Sequence, residues 1–324
     1  MPMQILLAVA GLVLLTFAAD HLVLGSSRLA TRLRISPVVV GVVVIGLGTS
    51  APEFLVSALA AARGDTGIAV GNIVGSNILN LTLILGIAAL ITPFAVDSKV
   101  IRREVPLAVG SVLVFAVLAY AGLSPQTAIL LAVCAAAALF VLVRWARGSG
   151  NQELTAEVAE FEAEGGAVVV APAKQAPAWF EPVRTVLGLA GVLGGAQLLV
   201  ANASAIAEQL GVPQIIIGFT LVALGTSLPE LVTTIQAQRR GETDLVVGNL
   251  FGSNLFNSLA GGAFIGFAAG SDNVAHASVV LLTAMVFTAL LAWALLRRGL
   301  RLTRPDGTVL LAVYALTLPL LLTS

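Results

Sequence analysis

Two stretches of the chain carry the same oxygen-bearing side chains at the same spacing, 177 positions apart: "GLGTSAPEFLVSALAAARGDTGIAVGNIVGSNILN" at 46–80 and "ALGTSLPELVTTIQAQRRGETDLVVGNLFGSNLFN" at 223–257. Each holds one acid, Glu53 or Glu230, inside an apolar run. A carboxylate at membrane depth costs roughly 3 kcal/mol on insertion scales and more on others, so such groups generally face a cavity and bind or relay charge. A protonated glutamate that merely hydrogen-bonds between helices is the plain alternative, but it would have to recur at equivalent positions. Thr49, Ser50, Thr226 and Ser227 stand three or four residues before the acids, which puts them one helical turn away on overlapping faces. Ser76 with Asn80, and Ser253 with Asn257, are one turn apart in the following segment. Pro52 and Pro229 directly precede the acids. Proline removes an amide donor and crowds the carbonyl four residues back, here that of Gly48 or Gly225, so carbonyls around Gly46 and Ala223 become available as ligands. Such backbone is tolerated in a bilayer only beside a cavity.

Carboxylates, hydroxyls and carbonyls are hard oxygen ligands. The set suits Ca²⁺, which takes six to eight oxygens, and also Na⁺, whereas no cluster of thiolates or imidazoles offers itself to a transition metal. His21 and His276 lie near expected helix ends and read as interfacial. Gly71-x3-Gly75 and Gly248-x3-Gly252 are small-residue pairs that let helices approach closely. They would bring Ser76, Asn80, Ser253 and Asn257 up to the glutamates. Asn72, Asn77, Asn249 and Asn254 read as hydrogen bonds between helices.

The elements that position these residues must span a membrane. The 324 residues are 58% hydrophobic and 10% charged, against roughly 25% charged in a soluble domain. Ten apolar runs approach the roughly 20 residues that cross a bilayer: about 3–23, 36–62, 67–92, 104–121, 125–145, 180–201, 213–237, 244–268, 277–296 and 309–323. The first reads as a retained helix, since no Lys or Arg precedes Arg28 to form the basic region of a secretory signal. With the N-terminus outside, sixteen of the 17 Lys and Arg fall on the cytoplasmic side and only Arg63 outside, as the positive-inside rule requires. Cys134 is the single cysteine, so no intrachain disulfide forms.

The expected fold is therefore all-α and integral to the membrane: ten transmembrane helices in two inverted five-helix repeats, 1–145 and 180–324, joined by a cytoplasmic linker at 146–179. That linker, some 35 residues, is too short for a folded domain, and its acidic run "NQELTAEVAEFEAE" reads as a solvated surface rather than a calcium sensor. Five helices per half make the second copy enter from the opposite side. Inverted repeats around a midplane site, with Gly/Pro-interrupted segments at matching positions, are a secondary-transporter architecture. The expected location is the cell's inner (plasma) membrane, with both termini outside. Nothing calls for nucleic acid, a cofactor or an obligatory protein partner.

"GTSAPE" with "GNIVGSNILN", and "GTSLPE" with "GNLFGSNLFN", resemble the two alpha-repeats of the cation/calcium exchanger superfamily, in its sodium/calcium exchanger branch and prokaryotic relatives. The resemblance covers nearly the whole chain. It implies a four-helix core around the ions and two long helices, the first and sixth, that slide to expose the site alternately. Carried over by motif, Glu53 and Glu230 would bind Ca²⁺ with Thr49 and Thr226. Ser50, Ser227, Ser76, Ser253 and the carbonyls of Gly46 and Ala223 would complete Na⁺ sites. Where part of the family has aspartate at the end of the second motif, this chain has Asn257. The resemblance links that aspartate to potassium co-transport, so its absence argues against K⁺ dependence. The function expected is Na⁺/Ca²⁺ antiport. Exchange of H⁺ for Ca²⁺ through the same glutamates stays open, because it needs no ligand that is missing. A cation channel would want a continuous pore, and an enzyme would want a nucleophile with its base, which the chain does not offer.

Overall fold

The fold is a computed structural model that describes residues 1–33, 35–149, 177–211, 223–270, 274–275 and 277–323. Its helices are α1 (Pro2–Leu33), α2 (Pro37–Thr49), α3 (Ala51–Ala62), α4 (Thr66–Ile91), α5 (Glu104–Ala121), α6 (Pro125–Ser149), α7 (Phe180–Gln209), α8 (Ala223–Thr226), α9 (Leu228–Arg239), α10 (Thr243–Phe256), α11 (Gly262–Ala269), α12 (Val279–Gly299) and α13 (Arg304–Thr323). Among the described residues, six helices are long and apolar enough to cross a membrane, and the bent pair α2 and α3 makes a seventh. Three expected spans are not in that set. Runs 213–237 and 309–323 reach residues outside the fully described ones, and the helical run over 244–268 is diluted by Asn249, Asn254 and Asn257. The acidic run of the linker and His276 also lie outside the described residues.

The first and sixth expected spans are longer than their apolar stretches. Helix α1 continues ten residues past 23, through Arg28 and Arg32, because Gly25, Ser26 and Ala30 keep one face buried. Its partner is α7. A Cβ added at Gly11 would lie 2.6 Å from the Leu199 nitrogen, one at Gly195 2.5 Å from the Leu15 nitrogen, and one at Gly188 2.7 Å from the Leu22 nitrogen. The partner number falls as the α1 number rises, so the helices run antiparallel, with glycine letting the backbones touch. Outward faces carry lipid-compatible side chains such as Phe17, Val186 and Leu187.

Helices α2 and α10 lie parallel and equally close. A Cβ at Gly248 would sit 2.6 Å from the Val38 carbonyl, and one at Gly252 2.6 Å from the Val42 Cα. The Gly248/Gly252 pair therefore does what its spacing promises. Gly71 meets nothing within 4 Å; the segment that the repeat would set against it, 212–222, lies outside the described residues.

The fold is not purely helical. Strand β1 (Phe94–Ala95) pairs antiparallel with β2 (Arg301–Leu302), and the ribbon is extended by Val96 N donating to the Leu300 carbonyl at 2.9 Å. At the other end of α5, Leu123 and Ala275 form an isolated bridge. Such short ties between distant loops carry no periodic signal.

Candidate functional site

The break between α2 and α3 falls at Ser50, whose backbone (φ −78°, ψ 1°) has left the helix, and the chain turns by 42° there. Ser227, before Pro229, repeats it (φ −92°, ψ 5°). Each glutamate thus opens a helix whose proline occupies the first turn, where its lost donor costs no intrahelical bond. Wider breaks follow in the next helices: π-turns begin at Asn80 and at Asn257.

These breaks bring the two copies face to face. Ser50 Oγ donates to Glu230 Oε1 at 3.3 Å, and Ser227 Oγ donates to Glu53 Oε1 at 3.2 Å. Thr226 also interacts with Glu53, and Thr49 with Glu230. Each acid is therefore held by hydroxyls of the other copy. Both carboxylates are completely buried, and the second oxygen of each, Oε2, has no hydrogen-bond partner among the described residues. A buried, unsatisfied carboxylate oxygen is costly, and two of them within mutual electrostatic reach form a site with capacity for positive charge.

Ser253 links three helices: its hydroxyl lies 3.2 Å from the Gly46 carbonyl and 3.5 Å from Glu230 Oε1. The expectation that proline frees the Gly46 carbonyl needs correction. That oxygen already accepts the Ser50 amide at 3.3 Å as well as the Ser253 hydroxyl, because the break falls at Ser50 and leaves the preceding turn closed. Ser76 is buried at the equivalent place in the first copy, and Ala223 is the first residue of α8.

The asparagines divide into two kinds. Asn72 Nδ2 donates to the Glu53 backbone carbonyl at 3.3 Å and to Ser57 Oγ at 2.9 Å. Asn249 does the same with the Glu230 carbonyl at 3.3 Å and Thr234 Oγ1 at 3.1 Å. These amides brace the turn carrying each acid. Asn77, Asn254 and Asn80 form a chain between the copies: Asn254 Nδ2 donates to the Asn77 carbonyl at 2.9 Å, and Asn80 Nδ2 to Asn254 Oδ1 at 3.1 Å. Asn80 Oδ1 and both polar atoms of Asn257 are buried without partners among the described residues.

Ser57 and Thr234 are the site-supporting residues that motif reading passed over. Their signal was present, since both copies place a hydroxyl four residues after the acid. Of the histidines, His21 accepts a hydrogen bond from Arg184 Nε at 3.0 Å; it does not stand near a helix end as expected, because α1 runs on to Leu33. No group of three or more His, Cys, Asp or Glu converges among the described residues, so the oxygen-rich cluster is built on two carboxylates and neutral groups.

Buried acids on broken helices, clasped by hydroxyls from a second copy of the same motif, define a multi-pass membrane protein of the transporter class rather than an enzyme. The chain belongs to the sodium/calcium exchanger family, whose "Sodium/calcium exchanger protein" model matches residues 3–148 and 181–323. The chain is 37% identical to "Putative antiporter CaxA" of Alkalimonas amylolytica over 94% of this chain and 94% of that one. It is 36% identical to "Inner membrane protein YrbG" of Escherichia coli K12, over 97% of this chain and 95% of that one. A solved structure of the sodium-calcium exchanger NCX_Mj, soaked with Na⁺ and Sr²⁺, matches with a TM-score of 0.81 at 32% identity, covering 98% of this chain and 99% of that chain.

Proposed function

We propose that the protein is a Na⁺/Ca²⁺ antiporter of the inner membrane, built as ten helices in two inverted repeats with both termini outside, working by alternating access. The observation that carries this reading is the reciprocal clasp, Ser50 on Glu230 and Ser227 on Glu53, because it makes one site from two copies of one motif. The antiparallel run of α1 against α7 supports the inversion. The match to the sodium-calcium exchanger NCX_Mj supports the ions.

In this reading Glu53 and Glu230 hold Ca²⁺, their two charges offsetting its two, and Thr49 and Thr226 contribute oxygens. Ser50, Ser227, Ser76, Ser253 and the carbonyls of Gly46 and Ala223 serve flanking Na⁺ sites, the Gly46 carbonyl exchanging the Ser253 hydroxyl it accepts for the ion. Asn80 and Asn257 supply neutral oxygens between the acids. Three Na⁺ in the same core leave one positive charge, so exchange is electrogenic. One elementary charge moved through 100 mV corresponds to about 2.3 kcal/mol, and the membrane potential favours Ca²⁺ extrusion. With asparagine at 257, K⁺ is not required.

The test is uptake of radiolabelled Ca²⁺ into proteoliposomes holding Na⁺, K⁺ or an imposed pH gradient. Uptake is expected to follow an outward Na⁺ gradient. Uptake that follows the pH gradient and ignores Na⁺ would replace sodium with proton coupling. Ca²⁺ entry with no opposing ion would indicate a channel.

A further inference from the structure

The inverted copies are not equivalent at their ends. Arg240, in the turn that follows α9, forms a two-pronged ion pair with Asp20 of α1: Nε lies 2.7 Å from Oδ1 and Nη2 2.7 Å from Oδ2. Two residues on, Glu242 Oε1 accepts the hydroxyl of Ser27, also on α1, at 2.5 Å. The repeat supplies a counterpart for each member. Position for position, Asp20, Ser27, Arg240 and Glu242 correspond to Gln197, Ser204, Arg63 and Asp65. At that opposite end no counterpart of these contacts is found among the described residues. Ser204 Oγ is buried with no partner among the described residues, and Gln197, Arg63 and Asp65 are exposed. The chemistry differs as well as the geometry, since Gln197 is neutral where Asp20 is charged, and Asp65 is one methylene shorter than Glu242.

We propose that Asp20–Arg240 and Ser27–Glu242 form a latch that pins α1 to the core at the end carrying Arg240, and that the opposite end, with Gln197, has no equal. The inference rests on the proposed inverted-repeat exchanger. If α1 and α7 move against the core, the contacts at one end must part as those at the other end form. Because one end is held by an ion pair while the other offers Arg63 only the uncharged Gln197, the carrier rests closed at the Arg240 end, which the distribution of basic residues assigns to the cytoplasm. Its empty site is biased toward the other face. Among the described residues the charged partners of Asp20 and Arg240 are each other, His21, Arg184 and Glu242, none of them an ion-site residue, so they set the equilibrium between faces and leave the site itself intact.

Hydrogen–deuterium exchange on the full-length protein in ion-free lipid nanodiscs tests this. Asp20→Asn and Arg240→Gln are each expected to speed exchange over 239–243 and to slow it over 63–66, roughly two- to five-fold, the range a part-exposed ion pair supports. Gln197→Asp is expected to protect 63–66 and to expose 239–243. The charge-reversed pair Asp20→Arg with Arg240→Asp should restore the wild-type pattern, which separates a latch from a misfolded variant. Equal acceleration at both turns would mean general loosening and would overturn the proposal, as would unchanged exchange at 239–243. The coupling ion does not enter this measurement. A proton-coupled wild type would therefore sink the functional reading without touching the latch, and intact Na⁺/Ca²⁺ counterflow with unmoved exchange rates would remove the latch alone.

Discussion

Asn249 reaches from α10 to the backbone carbonyl of Glu230 on α9, 3.3 Å away, while its other hydrogen goes to Thr234. Asn72 holds Glu53 in the same way. The acids are thus fixed by their main chain as well as through their carboxylates. A hydrogen bond of this kind contributes about 0.5–1.5 kcal/mol, and leaving its buried partner unsatisfied costs about 1–3 kcal/mol. Asn249→Ala or Asn72→Ala should therefore weaken the apparent Ca²⁺ affinity by about tenfold in an uptake titration, with the protein still inserted. Unaltered affinity in both variants would make these amides mere packing.

Glu53→Gln and Glu230→Gln keep side-chain shape but remove the charge that offsets half of a divalent ion. Each is expected to abolish Ca²⁺ transport while membrane insertion and thermal stability persist. Near wild-type flux in either would rule out a two-carboxylate site.

Asn257 is completely buried with both polar atoms unpartnered among the described residues. Asn257→Asp adds a third buried acid, which the proposed site would set beside Glu53 and Glu230. Like charges at close range disfavour joint ionisation, so the rate of exchange should depend more steeply on pH than in the wild type, and K⁺ should begin to affect it. A pH and K⁺ profile identical to wild type would place Asn257 away from the ions.

Ser253 collects the Gly46 carbonyl and the Glu230 carboxylate around one hydroxyl. One Ca²⁺ uses at most about eight oxygens, and the oxygens of the two copies extend over more than one helical turn. Ser253→Ala and Ser76→Ala should accordingly raise the Na⁺ concentration for half-maximal exchange more than the Ca²⁺ concentration. A proton exchanger would be nearly indifferent to both.

Neighbouring glycines on α7 give an internal control for the seam. A Cβ at Gly195 would collide with the Leu15 backbone at 2.5 Å, whereas one at Gly194 meets nothing within 4 Å. Gly195→Ala should cost about 1–3 kcal/mol, the usual range for overpacking, and slow exchange. Gly194→Ala should leave thermal stability and turnover unchanged. Equal behaviour of the two would argue against a close α1–α7 contact.

The acids, hydroxyls and prolines were legible in the sequence because each occurs twice, and a doubled motif separates site from background. Seven of the ten apolar runs coincide with membrane-length helices among the described residues, the bent pair counted as one, since lipid demands apolar length. What escaped was set by contacts between distant residues. Helix α1 extends through Arg28 because Gly25 is covered by Thr185 and Arg184 of α7 and Ala30 is buried, and apolarity alone does not report that. The Phe94–Leu302 ribbon pair and the engaged Gly46 carbonyl likewise depend on partners far along the chain, and no proline marks the π-turns at Asn80 and Asn257. The repeat itself obscured one feature: treating the halves as equal hides that Asp20 has a neutral counterpart in Gln197.

The clasp between Ser227 and Glu53 spans 174 positions. At about 5–20 residues per second of ribosomal synthesis, the acid would leave the ribosome about 9–35 s before the hydroxyl that is to hold it. A similar delay separates Asn77 from Ser258, to which it donates at 2.9 Å, and a longer one, about 10–40 s, separates β1 from β2. During biogenesis the nascent first half therefore carries a carboxyl group without its final donor and a sheet edge without its mate. A translocon or chaperone that shelters such intermediates would meet this chain at its most vulnerable before the second half emerges.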